Sequence, residues 1–243
     1  MASPVKLPSL AGRRLPRRVT QLYLGLTLYG VSMALLIEST LGLDPWDVLH
    51  QGLALRTGLR FGWIVIAVSI LVLLAWIPLR QKPGFGTLSN AVVIGLVVDA
   101  ALALLPTVEP LWARWAFLIS GIVLNGVATG LYIGARLGPG PRDGLMTGLA
   151  ARGHSIRVVR TAIEVTVLVA GWLLGGTVGL GTLLYAVSIG PLAHVLIPLF
   201  TVPEAAPTAE PEPADASGTA PAPAQVPAQA PIADEPRPAD CPA

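Results

Sequence analysis

Long apolar stretches alternate with short polar segments through most of the chain. A helix needs about 20 mostly apolar residues to cross about 30 Å of hydrocarbon. Six stretches have this length, near residues 19–41, 62–79, 87–106, 111–135, 158–178 and 180–200. The pattern predicts an all-α membrane protein with six transmembrane helices, and its first partner is therefore the lipid bilayer.

Composition narrows the function classes. Hydrophobic residues make up 53% of the 243 residues and charged residues 12%, against about 45–50% and about 25% in soluble domains. The single cysteine, Cys241, permits neither a disulfide within the chain nor a Cys-ligated metal site. The sequence holds no motif of a metalloprotease, a serine hydrolase or a P-loop enzyme. We therefore expect no enzymatic activity, no cofactor, no metal site and no binding of nucleic acid.

Lysine and arginine are unevenly distributed between the apolar stretches. With the N-terminus inside, 13 of the 16 lie in cytoplasmic segments, and the other three, Arg56, Arg60 and Arg114, lie outside. Positively charged flanks stay on the cytoplasmic side of a membrane. We therefore expect both termini to be cytoplasmic, with residues 1–18 forming a basic N-terminal segment.

The last 41 residues, 203–243, differ from the rest of the chain. They contain 11 Pro, 13 Ala and an excess of acidic residues. A segment with so few large apolar side chains cannot bury enough surface to offset its chain entropy. The composition predicts a disordered, acidic, Pro/Ala-rich cytoplasmic tail.

The chain also contains an internal repeat. Residues 42–56 and 138–152 are identical at 8 of 15 aligned positions, and residues 84–95 and 179–190 at 8 of 12. Unrelated segments of this composition would match at about one or two positions. The repeats span residues 19–106 and 111–202, with three apolar stretches each. Because three crossings leave the chain on the opposite side, we expect the second repeat to be inverted, in agreement with the arginine distribution.

The repeated loop predicts a short helix in each half. Asp44 is a suitable N-cap before Pro45, with Asp47 two residues further on, and Gly140 with Asp143 repeats the pattern around a weaker cap. Each helix could be amphipathic and lie in the membrane interface, or it could be re-entrant and line a cavity. Asp47 and Asp143 either cap these helices or bind a cation or proton at two symmetric gates.

These segments resemble a known family. The motifs are Gly-x-x-Pro-Trp-Asp-x-Leu-x-x-Gly-Leu at 42–53, Gly-Phe-Gly-Thr at 84–87 and Gly-Pro-Arg-Asp-Gly-Leu-Met-Thr-Gly at 140–148. They are similar to those of the YczE/YyaS/YitT group of bacterial membrane proteins, over about residues 15–200. The resemblance implies a multi-span integral protein of the bacterial cell membrane, and it transfers no catalytic or binding residue.

Polar residues inside apolar stretches are costly and are candidates for a pathway. Asp99 and His194 are equivalent in the repeat and either bind a proton or cation or bond to a neighbouring helix. Glu164 lies one turn after Arg160 and either pairs with it or serves a pathway. Asn125 either joins helices or lines an interface with Tyr29, its counterpart. The candidates for a substrate or ion pathway are Asp47, Asp143, Asp99, His194, Glu164 and Asn125.

Two functions from different classes remain open. Inverted repeats with Gly/Pro-interrupted elements are typical of alternating-access transporters, which favours a transporter of a small solute or ion. The alternative is a non-transporting membrane protein that assists or regulates another membrane complex, because inverted duplication by itself also gives a stable bundle.

Overall fold

The computed structural model describes residues 15–202, which form eight α-helices and no strand. The helices are α1 (Leu15–Ser39), α2 (Pro45–Thr57), α3 (Phe61–Leu79), α4 (Phe85–Leu104), α5 (Leu111–Gly134), α6 (Pro141–Ala150), α7 (Ile156–Leu173) and α8 (Leu180–Phe200). The end of the basic segment expected at 1–18 is helical, since α1 begins at Leu15. The rest of that segment and the tail expected at 203–243 lie outside the described residues.

Five helices in the described range are long and apolar enough to cross a membrane, namely α1, α3, α4, α5 and α8. The remaining predicted span, 158–178, corresponds to α7, which is 18 residues long and is not among the five. It carries three charged side chains, Arg157, Arg160 and Glu164. The chain is therefore a helical membrane protein with five candidate spans by length and composition, one fewer than the apolar pattern predicts.

The two longest helices, α1 and α5, pack closely at two glycines. A Cβ on Gly25 would lie 2.8 Å from the backbone nitrogen of Tyr132, and a Cβ on Gly121 would lie 3.0 Å from the side chain of Leu36. The first half of α1 thus meets the end of α5, and the end of α1 meets the first half of α5. The two helices therefore run antiparallel, and α4 packs against α1 and α8 against α5.

The chain reverses direction between α1 and α2. Gly42 has a φ of 127°, and a Cβ on it would lie 2.7 Å from the backbone nitrogen of Thr182. Leu43 then joins the same buried cluster as Leu36 and Ile122, and Ile122 is about three turns inside α5. The start of α2 therefore lies in the protein interior and not at the end of the bundle.

The segment before α6 makes the corresponding contacts. Gly138 has a φ of 129°. The N–H of Gly86 donates to the carbonyl of Leu137 at 2.9 Å, and the N–H of Gly181 donates to the carbonyl of Leu41 at 2.8 Å. Each extended segment thus supplies an acceptor to the first turn of α4 or α8 in the other repeat, where backbone N–H groups have no partner within the helix.

The last turn of each short helix also contacts the other repeat. Arg56 Nε donates to the carbonyl of Leu174 at the end of α7, at 3.2 Å. In the same way, Arg152 Nη2 donates to the carbonyl of Pro78 near the end of α3, at 2.8 Å. A cation at a helix C-terminus also complements the helix dipole. Both ends of α2 and of α6 are therefore held by elements of the opposite repeat.

Candidate functional site

The first turn of α2 brings two aspartates and a histidine into the interior. Asp44 is the N-cap, and its Oδ1 accepts the N–H of Asp47 at 2.7 Å. The carboxylate of Asp47 faces side chains: its Oδ1 lies 3.1 Å from Nδ1 of His50, and its Oδ2 has no hydrogen-bond partner among the described residues. Asp44, Asp47 and His50 are only 2%, 0% and 1% exposed. The cap is therefore the side chain of Asp44, and the carboxylate of Asp47 is left for other contacts.

The equivalent turn of α6 has different partners. Its N-cap, Gly140, has no side-chain acceptor. Oδ2 of Asp143 accepts the hydroxyl of Tyr132, on α5, at 2.7 Å. Both aspartates singled out in the sequence thus lie in the first turn of a short helix and bond to side chains there.

Arg142 joins the two helix starts. Its guanidinium nitrogens lie 3.7 Å from Asp44 Oδ2 and 3.5 Å from Asp47 Oδ1. Its Cζ lies 5.1 Å from the centre of the Trp46 ring, within the range of a cation–π contact. Trp46 and Arg142 occupy equivalent positions in the internal repeat, so two residues that align in sequence contact each other in space. The N-termini of α2 and α6, with the positive ends of their dipoles, are brought together at this point.

Burial controls the charge of these groups. Loss of water raises the pKa of Asp44 from 3.8 to about 6, with repulsion from Asp47 adding to the rise and Arg142 opposing it. Burial also raises the pKa of Asp47 to about 6, again against the attraction of Arg142. Burial, and then the charge of Arg142, lowers the pKa of His50 to about 3. His50 is therefore neutral at physiological pH, and two carboxyl groups share one guanidinium.

A cavity of about 260 Å³ lies beside Arg142. A water takes about 30 Å³ in the liquid, so this volume holds several waters or one small solute. The wall combines aromatic rings with both signs of charge. It includes Tyr29, Asp44, Trp46, Arg142, Glu164 and Tyr185.

The cavity opens at a gap that has no counterpart in the first repeat. Gly62 and Gly95 pack against each other where α3 meets α4. In the described range, α7 and α8 do not form an extensive contact of this kind; Val158 is 65% exposed, and a Cβ on Gly190 would meet no atom within 4 Å. A cavity of only about 50 Å³ lies beside Arg142 on the α3–α4 side. The two repeats thus differ at this point, being open at α7–α8 and closed at α3–α4.

Asn125 is buried and joins three helices. Its Nδ2 donates to Oγ of Ser32, on α1, at 2.9 Å, and its Oδ1 accepts the hydroxyl of Tyr185, on α8, at 3.0 Å. This is the interhelical contact that the sequence suggested. Because Tyr185 also lines the cavity, Asn125 fixes one ring of the cavity wall.

Glu164 pairs with Arg160, as one of the two alternatives predicted, and it also lies at the cavity. Its Oε1 accepts Nε of Arg160 at 2.9 Å, and both residues line the cavity. The Arg160 side chain is 55% exposed and that of Glu164 33%. The pair therefore stands at the open edge of the cavity, where solvent weakens its mutual attraction.

Asp99 and His194 are not brought to this site. Asp99 Oδ1 accepts the N–H of Gly62, in the first turn of α3, at 2.7 Å. His194 is exposed on α8. Neither is among the described residues that line the two cavities. Asp99 thus makes the bond to a neighbouring helix that one alternative described, and the role of Asp99 and His194 as stations for a proton or cation stays a prediction.

Sequence reasoning missed Arg142 and Trp46 as site residues. In the sequence Arg142 counts only as a cytoplasmic charge, and Trp46 only as part of a motif. The signal that could have found them is the repeat alignment, where they share a position between the identical residues Pro45/Pro141 and Asp47/Asp143. In two repeats related by a twofold axis, equivalent residues near the axis contact each other.

The chain is similar to a protein family and to several bacterial proteins. A model described as a family of unknown function (DUF6198) matches residues 16–198. An uncharacterized protein of Haemophilus influenzae is 42% identical over 182 residues, which cover 74% of this chain and 84% of the relative. The uncharacterized membrane protein YczE of Bacillus subtilis is 34% identical over 184 residues, 74% and 86% of the two chains. The uncharacterized protein YyaS of the same species is 32% identical over 183 residues, 72% and 90%. No solved structure matches the chain.

Proposed function

The chain belongs to the DUF6198 family, as its resemblance to YczE and YyaS led us to expect, and from this premise we propose that it transports a small polar solute or ion across the membrane. One observation carries the proposal: Arg142 of one repeat meets Asp44 and Asp47 of the other at the wall of a cavity. Burying charged groups costs several kcal/mol per ion, by the usual order of magnitude. The presence of ionisable groups inside a membrane protein therefore indicates a functional site.

In this proposal the two repeats are oppositely oriented halves related by a twofold axis. Reciprocal contacts support the arrangement. The bond from Gly181 to Leu41 has its counterpart in the bond from Gly86 to Leu137, and Arg56 and Arg152 bind equivalent carbonyls. A twofold relation produces contacts in such pairs.

The short helices α2 and α6 are proposed to be re-entrant. With 13 residues, α2 is about 20 Å long, too short to cross about 30 Å of hydrocarbon. Its buried start argues against a helix lying on the surface. The extended backbone before each short helix is covered by α8 or α4, as irregular backbone at membrane depth requires. Discontinuous helices whose N-termini meet are a common way to build a transporter site.

The cavity favours a small solute with polar groups. Its volume of about 260 Å³ is below the roughly 300–1,000 Å³ of pockets for drug-sized ligands. Trp46 and Tyr185 offer ring faces, and Asp44 and Arg142 offer opposite charges. No catalytic step and no nucleic-acid partner form part of the proposal.

We propose a cell-membrane location with both termini in the cytoplasm. The arginine distribution supports this orientation. It places the α2–α3 loop, beside Arg60, outside, and the α6–α7 loop, beside Arg152 and Arg157, inside.

The structure suggests how access could alternate. The open α7–α8 pair and the closed α3–α4 pair are equivalent elements in two arrangements. In the proposed cycle the halves exchange these arrangements, so the opening moves to the α3–α4 side. Exchange of this kind between inverted halves gives access to one central site from each face in turn.

Two equivalent alanines test this proposal. Ala186 lies exposed at the cavity, and its counterpart Ala91 is only 3% exposed on α4. In a Cys241→Ser background, we expect Ala186→Cys to react with a membrane-impermeant thiol reagent from inside, in inverted vesicles, because the cavity opens beside Arg160 and Glu164 at the proposed cytoplasmic end of α7. We expect Ala91→Cys to react from outside, because the exchanged state opens α3–α4 on the opposite face.

Val98→Cys, on the same helix as Ala91 and fully buried, is the matched control and should stay unreactive. Reaction of Ala186→Cys alone, with Ala91→Cys as inert as Val98→Cys, would contradict alternating access. That result would favour the non-transporting alternative.

A further inference from the structure

We propose that Asp44 and Asp47 together bind one exchangeable proton, which reaches them from the cavity through Asp44 and competes with Arg142 for the carboxyl pair. The inference rests on the proposed transport function and adds the ion to which transport is coupled. It concerns the two carboxyl groups at the start of α2, of which Asp44 lines the cavity.

The charges around this point do not balance when every carboxyl group is ionised. Asp44, Asp47 and Asp143 lie at the two helix starts with Arg142 as their cation. The two helix N-termini add about half a positive charge each. About one negative charge therefore remains, and one bound monovalent cation would neutralise it.

An unpartnered oxygen marks the place for that cation. Oδ2 of Asp47 is fully buried and has no hydrogen-bond partner among the described residues, while its Oδ1 faces His50 and Arg142. A buried carboxylate oxygen without a partner is costly. A proton on this pair lowers the cost, because an unpaired neutral carboxyl group is less costly to bury than an unpaired charged one.

A proton fits this place better than a metal ion. The described residues contain no group of three or more His, Cys, Asp or Glu side chains placed to hold a metal. The guanidinium of Arg142 already lies within 4 Å of both carboxylates. In addition, burial raises the pKa of Asp44 and of Asp47 to about 6, close enough to neutral pH for proton exchange.

Two of the groups that face the pair, His50 and Arg142, keep one charge state over the pH range of the test. The titratable and charged groups that face it are Tyr29 of α1, His50 of α2, Arg142 and Asp143 of α6, Arg160 and Glu164 of α7, and Tyr185 of α8. Burial and the charge of Arg142 lower the pKa of His50 to about 3, so it stays neutral above that pH. Arg142 stays charged throughout.

Protonation changes the charge that the cavity presents by one unit. With the pair ionised, Arg142 is held by two carboxylates; with one proton bound, it keeps only one charged partner. A ligand shifts a two-state equilibrium only through different affinities for the two states. A proton that frees part of the Arg142 charge supplies such a difference for a solute in the same cavity.

The test is the pH dependence of thermal stability for the purified full-length protein. The folded-state pKa of the pair, about 6, lies above the ordinary value of 3.8. The resulting stabilisation is fully present below pH 3.8 and is lost as the pH rises through about 6. We expect a higher melting temperature at about pH 5 than at about pH 8 in the wild type. Asp44→Asn and Asp47→Asn should each lose most of this shift.

Asp99→Asn is the matched control, because the carboxylate of Asp99 bonds to α3 away from the cavity. This variant should keep the wild-type shift in melting temperature. A wild-type shift retained by Asp44→Asn would overturn the proposal, as would a shift that follows the sodium concentration at constant pH. If neither Asn variant folds, the infrared spectrum of the wild type decides. A C=O band of a protonated carboxyl group should rise with a midpoint near pH 6, about two pH units above the pKa of exposed carboxyl groups; a band that appears only below about pH 5 would overturn the proposal.

This outcome is separable from that of the transport proposal. If the melting temperature depends on pH as expected but Ala91→Cys stays unreactive, the proton site is supported and alternating access is rejected. Alternating access with no proton on Asp44 or Asp47 would reject only the coupling ion.

Discussion

Replacing Arg142 with Gln is expected to lower the free energy of unfolding by about 3–5 kcal/mol, the usual cost of removing one partner of a buried ion pair. The substitution leaves Asp44 and Asp47, which are 2% and 0% exposed, without their cation. The loss should shrink as the pH falls, because protonated carboxyl groups need no cation. Thermal or denaturant unfolding of the purified protein measures it.

Arg160→Gln is the matched control. Arg160 also lines the cavity and pairs with one carboxylate, Glu164, but its side chain is 55% exposed. Solvent-exposed pairs contribute about 0–1 kcal/mol. The triple variant Arg142→Gln, Asp44→Asn, Asp47→Asn should regain much of the loss. An Arg142→Gln variant as stable as Arg160→Gln would show that Arg142 does not compensate the buried carboxylates.

The second large effect is expected at the chain reversal before α2. Gly42→Ala forces a non-glycine residue to a φ of 127°, which costs about 1–3 kcal/mol. The new Cβ would also lie 2.7 Å from Thr182, and crowding of this kind costs about a further 1–3 kcal/mol. Each kcal/mol lowers the melting temperature by about 2–4 °C in a domain of this size.

Gly153→Ala separates the two costs. Gly153 has a φ of 101°, and a Cβ there would meet no atom within 4 Å. This variant should therefore lose stability only through backbone strain. We expect Gly42→Ala to be clearly less stable than Gly153→Ala. Equal melting temperatures would mean that the segment before α2 is not held tightly against α8.

The sequence predicted the short helices well because their starting signals are local. Asp44 and Pro45 define the start of α2, and Gly140 and Pro141 that of α6, independently of the rest of the fold. The membrane class and the family also follow from the sequence, since long apolar helices and repeated motifs can be recognised without knowledge of the packing.

The site itself depends on contacts between distant segments, which an apolar pattern does not encode. The equivalence of Asp99 and His194 is real in sequence, yet Asp99 bonds to Gly62 and His194 faces outward. Which neighbour a polar group meets depends on helix rotation, and the repeat does not fix that rotation in both halves. Arg142 was missed for a related reason. An arginine between apolar stretches is normally interpreted as a cytoplasmic charge, and the sequence does not show that its segment enters the protein interior.

The central claim is that two oppositely oriented halves bring their short helices to one site, and the side of the membrane reached by each loop tests it most directly. Leu59, in the α2–α3 loop, and His154, in the α6–α7 loop, are both exposed. In a Cys241→Ser background, a membrane-impermeant thiol reagent should label Leu59→Cys in intact cells and His154→Cys only in inverted vesicles. Labelling of both cysteines from the same side would contradict the inverted arrangement, and with it the proposed exchange between the halves.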